Sequence, residues 1–361
     1  ISLGGDGDLD NDGIHDGVER FGIRDAAGNL TTDMAALGAE PWRPSIAVEM
    51  DYFVAPDHSH EPDPAALPAV VDAFTAAPFP AVADCPYAGF PTQASGINFI
   101  ADVDDALPVT AVVDEAAFGI AELDALRSSN FDADRTPYFF YNVWAHTHDG
   151  SSSSGVCCSA DKGFMVTLGE WTDQNGTVRD QSGTIMHELG HNIGLGHGGG
   201  DGVNFKSNYL SIMNYRYQTI GLTNFDTWGA TGFDPAQFIA NSTIDYSTSA
   251  LPDLDETALD EAAGIGDGNR VAFWVDPTRT LRAGDARLGL DWNWNNSGLA
   301  PFDNPVVVDL NGDRVCVTDG DDDCNKTKSV TLTGPGLSPC AAQGCLPGQP
   351  CAFCADGNEC T

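Results

Sequence analysis

Residues 184–200 read TIMHELGHNIGLGHGGG, a stretch that sets His187, Glu188, His191, Gly194 and His197 at fixed spacing. Residues four apart share a helix face, so His187 and His191 can point at one ion. Glu188 sits one residue round the helix, placed to meet a metal-bound water rather than the metal. A helix cannot return a third ligand at position 197. Gly194 permits the backbone reversal that ends the helix and brings His197 to the same ion. Three imidazoles with an open fourth position are the layout of a catalytic zinc, whereas structural zinc sites are closed by four protein ligands. The bland alternative, three surface histidines beside a glycine-rich loop, must account for five spaced residues of the right types inside an apolar-faced helix.

Working outward, residues 183–195 read as that amphipathic helix. Upstream, residues 46–53 (IAVEMDYF), 97–103 (INFIADV), 137–145 (PYFFYNVWA) and 164–168 (FMVTL) carry strand patterns. Helices are expected over residues 64–76, with Asp63 before Pro64, and over 114–126. Pro68 fits only a first turn, so the former helix has an alternative start near Leu67. The strand and helix order indicates an α/β fold with three zones. Residues 1–44 are Asp- and Gly-rich with one short helical stretch, 45–289 form a globular domain, and 290–361 are a loop-rich tail rich in Asn, Asp and Cys.

Sixteen Lys plus Arg against 53 Asp plus Glu give a formal charge of −37 over 361 residues. Such a surface repels phosphate backbones and anionic headgroups, which argues against nucleic-acid partners. No run of about 18 apolar residues occurs, so membrane insertion is not expected. Ten cysteines point to an oxidising compartment. Seven fall within residues 316–360, and the others are Cys85, Cys157 and Cys158. Full pairing therefore requires at least one bridge from the tail to the body. With Ile1 first and no basic-then-apolar leader, the chain reads as a mature secreted protein.

Asp8, Asp10, Asp12, Asp16 and Glu19, with Gly13 between them, follow the spacing of an EF-hand-type calcium loop. The plain alternative is a solvated acidic turn. Asp309, Asn311 and Asp313 repeat the first half of that spacing, and Asp291, Asn293 and Asn295 echo it more weakly, against ordinary Asn/Asp turns. Alternation puts His58 with His60, and His146 with His148 beside Asp149, on one side of an extended segment each. A second metal is one reading there; surface or packing histidines are the favoured one.

The zinc motif followed by Ser211-Ile212-Met213-Asn214-Tyr215, with Met213 lying 16 residues past His197, resembles the metzincin metallopeptidases. The stretches DGDLDNDGIHDGVE, ALGAEPWRPSIAVEMDYF, HSHEPDPAAL and DYSTSALPDLDETALDEAAGIG further resemble secreted bacterial metzincin-like proteins with calcium-loop flanks. Gly198, following the third histidine, matches none of the best-known groups. The resemblance implies a metzincin-like catalytic domain with a mixed twisted sheet, a backing helix and an active-site helix. Calcium-binding and disulfide-rich flanks would surround it. It further implies Met213 as a hydrophobic floor under the zinc, and Tyr215 as a group that helps stabilise the transition state. Residues 164–168 become the sheet-edge strand that pairs with substrate, with an interior strand as the other reading. The function implied is a secreted zinc endopeptidase acting on protein or peptide substrates, with Zn2+ and Ca2+ as cofactors and Glu188 as general base. The alternative is an extracellular structural or adhesive protein whose site is unused or serves only self-processing.

Overall fold

The computed structural model describes residues 7–79, 95–109, 119–159, 163–199, 203–224, 239–248, 251–266, 270–295, 306, 308 and 310. The described residues up to Gly194 form one unit and those from Leu195 onward another. The first begins with helix α1 (Asp16–Phe21) and a small antiparallel pair, β1 (Ile23–Arg24) and β2 (Leu30–Thr32). Its body then runs β3 (Ser45–Val54), α2 (Leu67–Thr75), β4 (Asn98–Pro108), α3 (Ile120–Asn130), β5 (Phe139–Trp144), β6 (Gly155–Ser159), β7 (Gly163–Val166) and α4 (Val178–Asn192).

The five longer strands make one mixed sheet in the order β4-β3-β5-β7-β6. β3 pairs in parallel with β4, Ile46 opposite Phe99, and with β5, Val48 opposite Phe140. β5 continues in parallel with β7, and β6 is antiparallel to β7. The fold is therefore α/β. Residues 164–168 do not form the edge, because β7 lies between β5 and β6 and its strand ends at Val166. The link from β6 to β7 is too short for a parallel crossover, so β6 must lie antiparallel and outside.

Period-two alternation gives the sheet two apolar faces. Ala47, Ile100, Phe139, Tyr141, Val143 and Met165 share a core with Leu123 of α3 and with Ile14 and Met34. On the opposite face Phe99 stacks on Phe74 of α2, ring centroids 5.3 Å apart. Near-continuous burial along β3 and β5 is what a strand covered on both sides requires.

The helices differ from expectation at their ends. α2 begins at Leu67, the alternative start, because Pro68 is confined to the first turn and Asp63 makes a turn of its own to Ala65 N–H at 2.8 Å. α3 is shifted toward the C-terminus of residues 114–126. Gly119 N–H donates to Glu122 Oε2 at 3.1 Å and fixes its start; residues 114–118 lie outside the described residues.

Buried charge in this unit centres on Arg135, at the end of the single turn Ala133–Arg135. Its guanidinium meets Glu49 Oε2 of β3 at 2.8 Å and Asp102 Oδ2 of β4 at 2.8 Å, and its Nε donates to Thr32 Oγ1 of β2 at 3.0 Å. Burial pushes the Glu49 carboxyl up to about 7 against the pull of Arg135. Beside it, Tyr141 donates its hydroxyl to Asp51 Oδ2 at 2.7 Å, and burial pushes Asp51 up to about 6.

The second unit carries β8 (Leu222–Thr223) against β9 (Ser242–Thr243), and the hairpin of β10 (Val271–Val275) with β11 (Leu281–Asp285). Asp276 turns the hairpin by accepting from the N–H groups of Thr278 and Thr280 at 2.8 and 3.0 Å. Tyr217, Phe273, Trp274, Trp292, Val306 and Leu310 form its core. Among the described residues, no helix is long and apolar enough to cross a membrane.

Arg135→Gln strands Glu49 in the interior without its cation. Loss of one partner of a buried pair costs about 3–5 kcal/mol, to be read as a lowered urea midpoint. An unchanged midpoint would show that Arg135 is not the charge that stabilises this edge of the sheet.

Candidate metal centre

α4 presents the histidine motif, and its first turn is fixed by a reciprocal cap. Asp180 N–H donates to Thr177 Oγ1 at 3.2 Å, and Thr177 N–H donates to Asp180 Oδ2 at 2.9 Å. The helix therefore starts at Val178, five residues before the expected residue 183. One turn apart on it, His187 and His191 bring their Nε2 atoms within 3.1 Å, with their rings at 85°. Two ligands bonded to one tetrahedral zinc at ~2.1 Å stand about 3.4 Å apart, so this pair is spaced to share an ion.

α4 stops at Asn192, where Gly194 N–H donates to the His191 carbonyl at 2.9 Å with a φ of 95°. Such a backbone favours glycine, which lacks the clashing Cβ. Gly196 and Gly199 then exchange N–H···O bonds of 3.3 and 3.1 Å, with His197 in the turn they close. One nitrogen from each of His187, His191 and His197 lies within 4.8 Å of the others. Burial pushes His197 down to about 4, so its imidazole is neutral near pH 7, the form that can ligate a metal.

Tyr215 packs its ring 4.5 Å from that of His197, centroid to centroid, and its N–H donates to Asn204 Oδ1 at 2.9 Å. Met213 is fully buried in the preceding turn. Ser211 Oγ accepts from Met213 N–H at 3.2 Å, and Asn214 Nδ2 donates to the carbonyls of Lys206 and Tyr209 at 2.8 and 3.0 Å. These bonds leave the turn little freedom to move its side chains.

Gly155 is a site residue that the sequence reading missed. A Cβ at this first residue of β6 would stand 2.6 Å from the Met165 carbonyl oxygen of β7, 2.7 Å from Glu188 Cγ and 2.9 Å from Glu188 Oε1. The edge strand thus lies flush against the carboxylate of the motif, and only glycine leaves that carboxylate its place. A lone glycine in a strand was the available signal, since it marks close approach of another group. Two residues on, Cys157 and Cys158 are joined to each other.

The N-terminal acidic loop is compact. Asp8 accepts from the N–H groups of Asp12 and Gly13 at 3.2 and 3.1 Å, and Asp16 accepts from Leu9 N–H at 2.9 Å. Asp12 Oδ1 accepts from Ile14 N–H at 2.7 Å, while its Oδ2 accepts from Ser45 N–H at 2.7 Å, tying the loop to the start of β3. Carboxylate oxygens of Asp8, Asp10 and Asp12 converge within 4.8 Å. Glu19, on α1, is fully buried with neither carboxylate oxygen hydrogen-bonded. Burial and the aspartates around it push Glu19 up to about 10; burial, then Asp12 and Asp8, push Asp10 up to about 8. Side chains at positions one, three and five thus converge as hard oxygen donors, a set that fits calcium, and Glu19 at position twelve is near enough for their charges to raise its proton affinity.

No protein-family model and no curated protein matches the chain. The candidate sites therefore stand on their own geometry. Asp309, Asn311 and Asp313 lie outside the described residues. Asp291 and Asn293 both accept from Asn295 N–H at 3.0 Å, the bonding of an Asx-type turn. His58, His60 and His146 come together, whereas His148 Nε2 faces Asp149 at 3.1 Å.

Without a cation, the raised acids of the N-terminal loop hold protons that the unfolded chain has released. Their contribution is greatest near pH 4 and is lost as pH rises through about 8 and about 10, the folded values of Asp10 and Glu19. In EGTA the melting temperature should therefore fall from pH 5 to pH 8, and saturating calcium should largely abolish that fall. Melting curves indifferent to calcium at pH 8 would remove the ion from the loop.

Proposed function

We propose that the chain is a secreted zinc endopeptidase of the metzincin type, with a calcium-loaded N-terminal loop. The observation that carries this reading is the convergence of His187, His191 and His197 nitrogens within 4.8 Å, with Glu188 next in sequence to the first. Three imidazoles suit zinc, and a set of three leaves a position for chemistry. When bound, zinc supplies Lewis acidity that lowers the pKa of water from 15.7 toward about 7.

The remaining steps belong to the protein. Glu188 takes a proton from the attacking water and delivers it to the leaving amine. Its nearly complete burial sets the carboxylate in a place where bulk water competes poorly for the proton. Tyr215, beside His197, donates its hydroxyl toward the oxyanion that develops on the scissile carbonyl. An extended peptide adds to the outer edge of β6, which among the described residues pairs only with β7. Gly155 at the start of that edge would bring the peptide backbone close to Glu188. A bond between Cys157 and Cys158 suits an oxidising compartment and supports the extracellular assignment.

Casein hydrolysis by the calcium-loaded protein should stop with phenanthroline and return with zinc. Glu188→Gln should lower kcat by about 10²- to 10⁴-fold while zinc content stays unchanged. Zinc binding without turnover in the unmodified protein would instead support a structural or adhesive role.

Gly155→Val tests the strand edge separately. The added side chain meets the Met165 carbonyl as well as Glu188, so in protein whose circular dichroism and melting temperature show an intact sheet, kcat should fall at least about tenfold, equivalent to about 1.4 kcal/mol in the barrier. Zinc content should not change. Unaltered kcat would show that β6 does not position the base.

A further inference from the structure

The sheet brings together a second group of histidines, distinct from the motif on α4. β3, β5 and β7 are neighbouring parallel strands, and the chain leaves all three at the same end of the sheet. His58 and His60 stand just past the end of β3, in a turn closed by Ala55 N–H to the His58 carbonyl at 2.9 Å and His60 N–H to the Phe53 carbonyl at 2.9 Å. His146 is two residues past the end of β5, and Gly169 follows β7. Outside the carboxyl ends of neighbouring parallel strands is where open α/β sheets hold ligands.

The three rings form a closed triangle, with centroid separations of 4.9, 5.2 and 5.2 Å. One nitrogen from each lies within 4.8 Å of the others, the same limit met by the motif histidines. Supporting groups orient the rings from outside. Asp57 Oδ1 lies 3.0 Å from His58 Nδ1, and Glu170 Oε1 lies 3.5 Å from His146 Nε2. The Asn175 side chain and the Gln174 backbone lie beside the His60 ring. A carboxylate or amide outside each imidazole is the arrangement that fixes the tautomer and aim of a metal-ligating histidine. Gly169 lies flat against the His146 ring, where any Cβ would collide with its Cγ and Nδ1. His60 is almost wholly buried, and His58 and His146 are half-buried, so the group is no chance cluster of surface side chains.

We propose that His58, His60 and His146 bind a second transition-metal ion of the zinc class. Three imidazoles favour such an ion over calcium, which takes oxygen ligands. The cluster adjoins the segment that leads into α4. Asn175 Nδ2 donates to the Glu61 carbonyl at 2.9 Å, and Asp63 N–H donates to Gln181 Oε1 of α4 at 2.8 Å. An ion here joins the loops after β3 and β5 at the place where residues 169–177 cross to the capped start of α4. Its role is to hold that crossing in place.

The test does not depend on the motif of α4 being catalytic. His187→Asn/His191→Asn protein, loaded with zinc and desalted, should retain one zinc per chain by elemental analysis. Adding His146→Asn should bring that to zero, and adding His58→Gln should lower it in the same direction. Cobalt(II) in place of zinc should give visible d–d bands in the double variant that the third substitution removes. Circular dichroism checks that each variant is folded in calcium. A folded double variant that holds no zinc overturns the proposal. Equal zinc in the double variant and in folded triple variants overturns it as well.

Discussion

Arg135 is the cation on which the first unit depends. Its guanidinium reaches β3 through Glu49, β4 through Asp102 and β2 through Thr32. It thereby joins the centre of the sheet, one sheet edge and the N-terminal hairpin. Burying Glu49 without it would leave an uncompensated charge in the interior, a cost greater than most single packing defects. The choice of arginine follows from geometry, since a planar fork can meet several oxygens at once where an ammonium presents one point charge. With β3 fixed by this network on one side and by the Asp12–Ser45 bond at its start, the turn beyond its far end has a rigid base.

The motif helix is positioned by polar bonds as much as by apolar packing. Ser182 Oγ donates to the Ala66 carbonyl at 2.9 Å, and Gln181 Nε2 donates to the Asn175 carbonyl at 3.0 Å. Both side chains are buried, so the first turns of α4 have an interior face made of satisfied hydrogen bonds. Ile185, Met186 and Leu189 take over as the apolar face further along. A helix held at its start by directional bonds and at its end by Gly194 has little freedom to slide. His187 and His191 inherit that restriction, and preorganisation of ligands is what a metal site of defined geometry needs.

The same bonds explain which parts of the fold were legible in the sequence. β3 and β5 could be read to within two residues at either end, β3 by its alternation and flanks and β5 by its β-prone aromatic run. The start of α4 could not be read from periodicity, since Val178, Arg179, Asp180, Gln181 and Ser182 lack an apolar stripe. Its signal was chemical instead: Thr177 with Asp180 three residues on. β6 went unread because a short strand containing Gly155 and two adjacent cysteines has little β-pattern. The histidine spacing on α4 was legible because it is local. The grouping of His58 and His60 with His146 was not, because alternation pairs residues along one strand and says nothing about which strands are neighbours. That information lies in the order β4-β3-β5, which joins residues more than 80 positions apart.

A net charge of −37 makes the compensation of interior acids the sharper problem for this chain. Several buried carboxylates have an arginine: Glu49 has Arg135, Asp276 has Arg282 at 2.6 Å, and Asp285 has Arg287 at 2.6 Å. The N-terminal loop is arranged differently. The charges acting on Glu19 are those of Asp8, Asp10, Asp12 and Asp16, and all of them raise its proton affinity. Apolar packing cannot relieve that repulsion, and protonation at neutral pH would forfeit the carboxylates as ligands. A divalent cation relieves it at one point and satisfies several oxygens together, which an arginine fork cannot do for the three converging aspartates with Glu19 beside them. These interior acids thus differ in their partners: Glu49, Asp276 and Asp285 have a guanidinium, Asp51 has the Tyr141 hydroxyl, and those of the N-terminal loop have the spacing of an ion site. Dispersed surface aspartates need neither, because water solvates them, so most of the −37 stays outside this division.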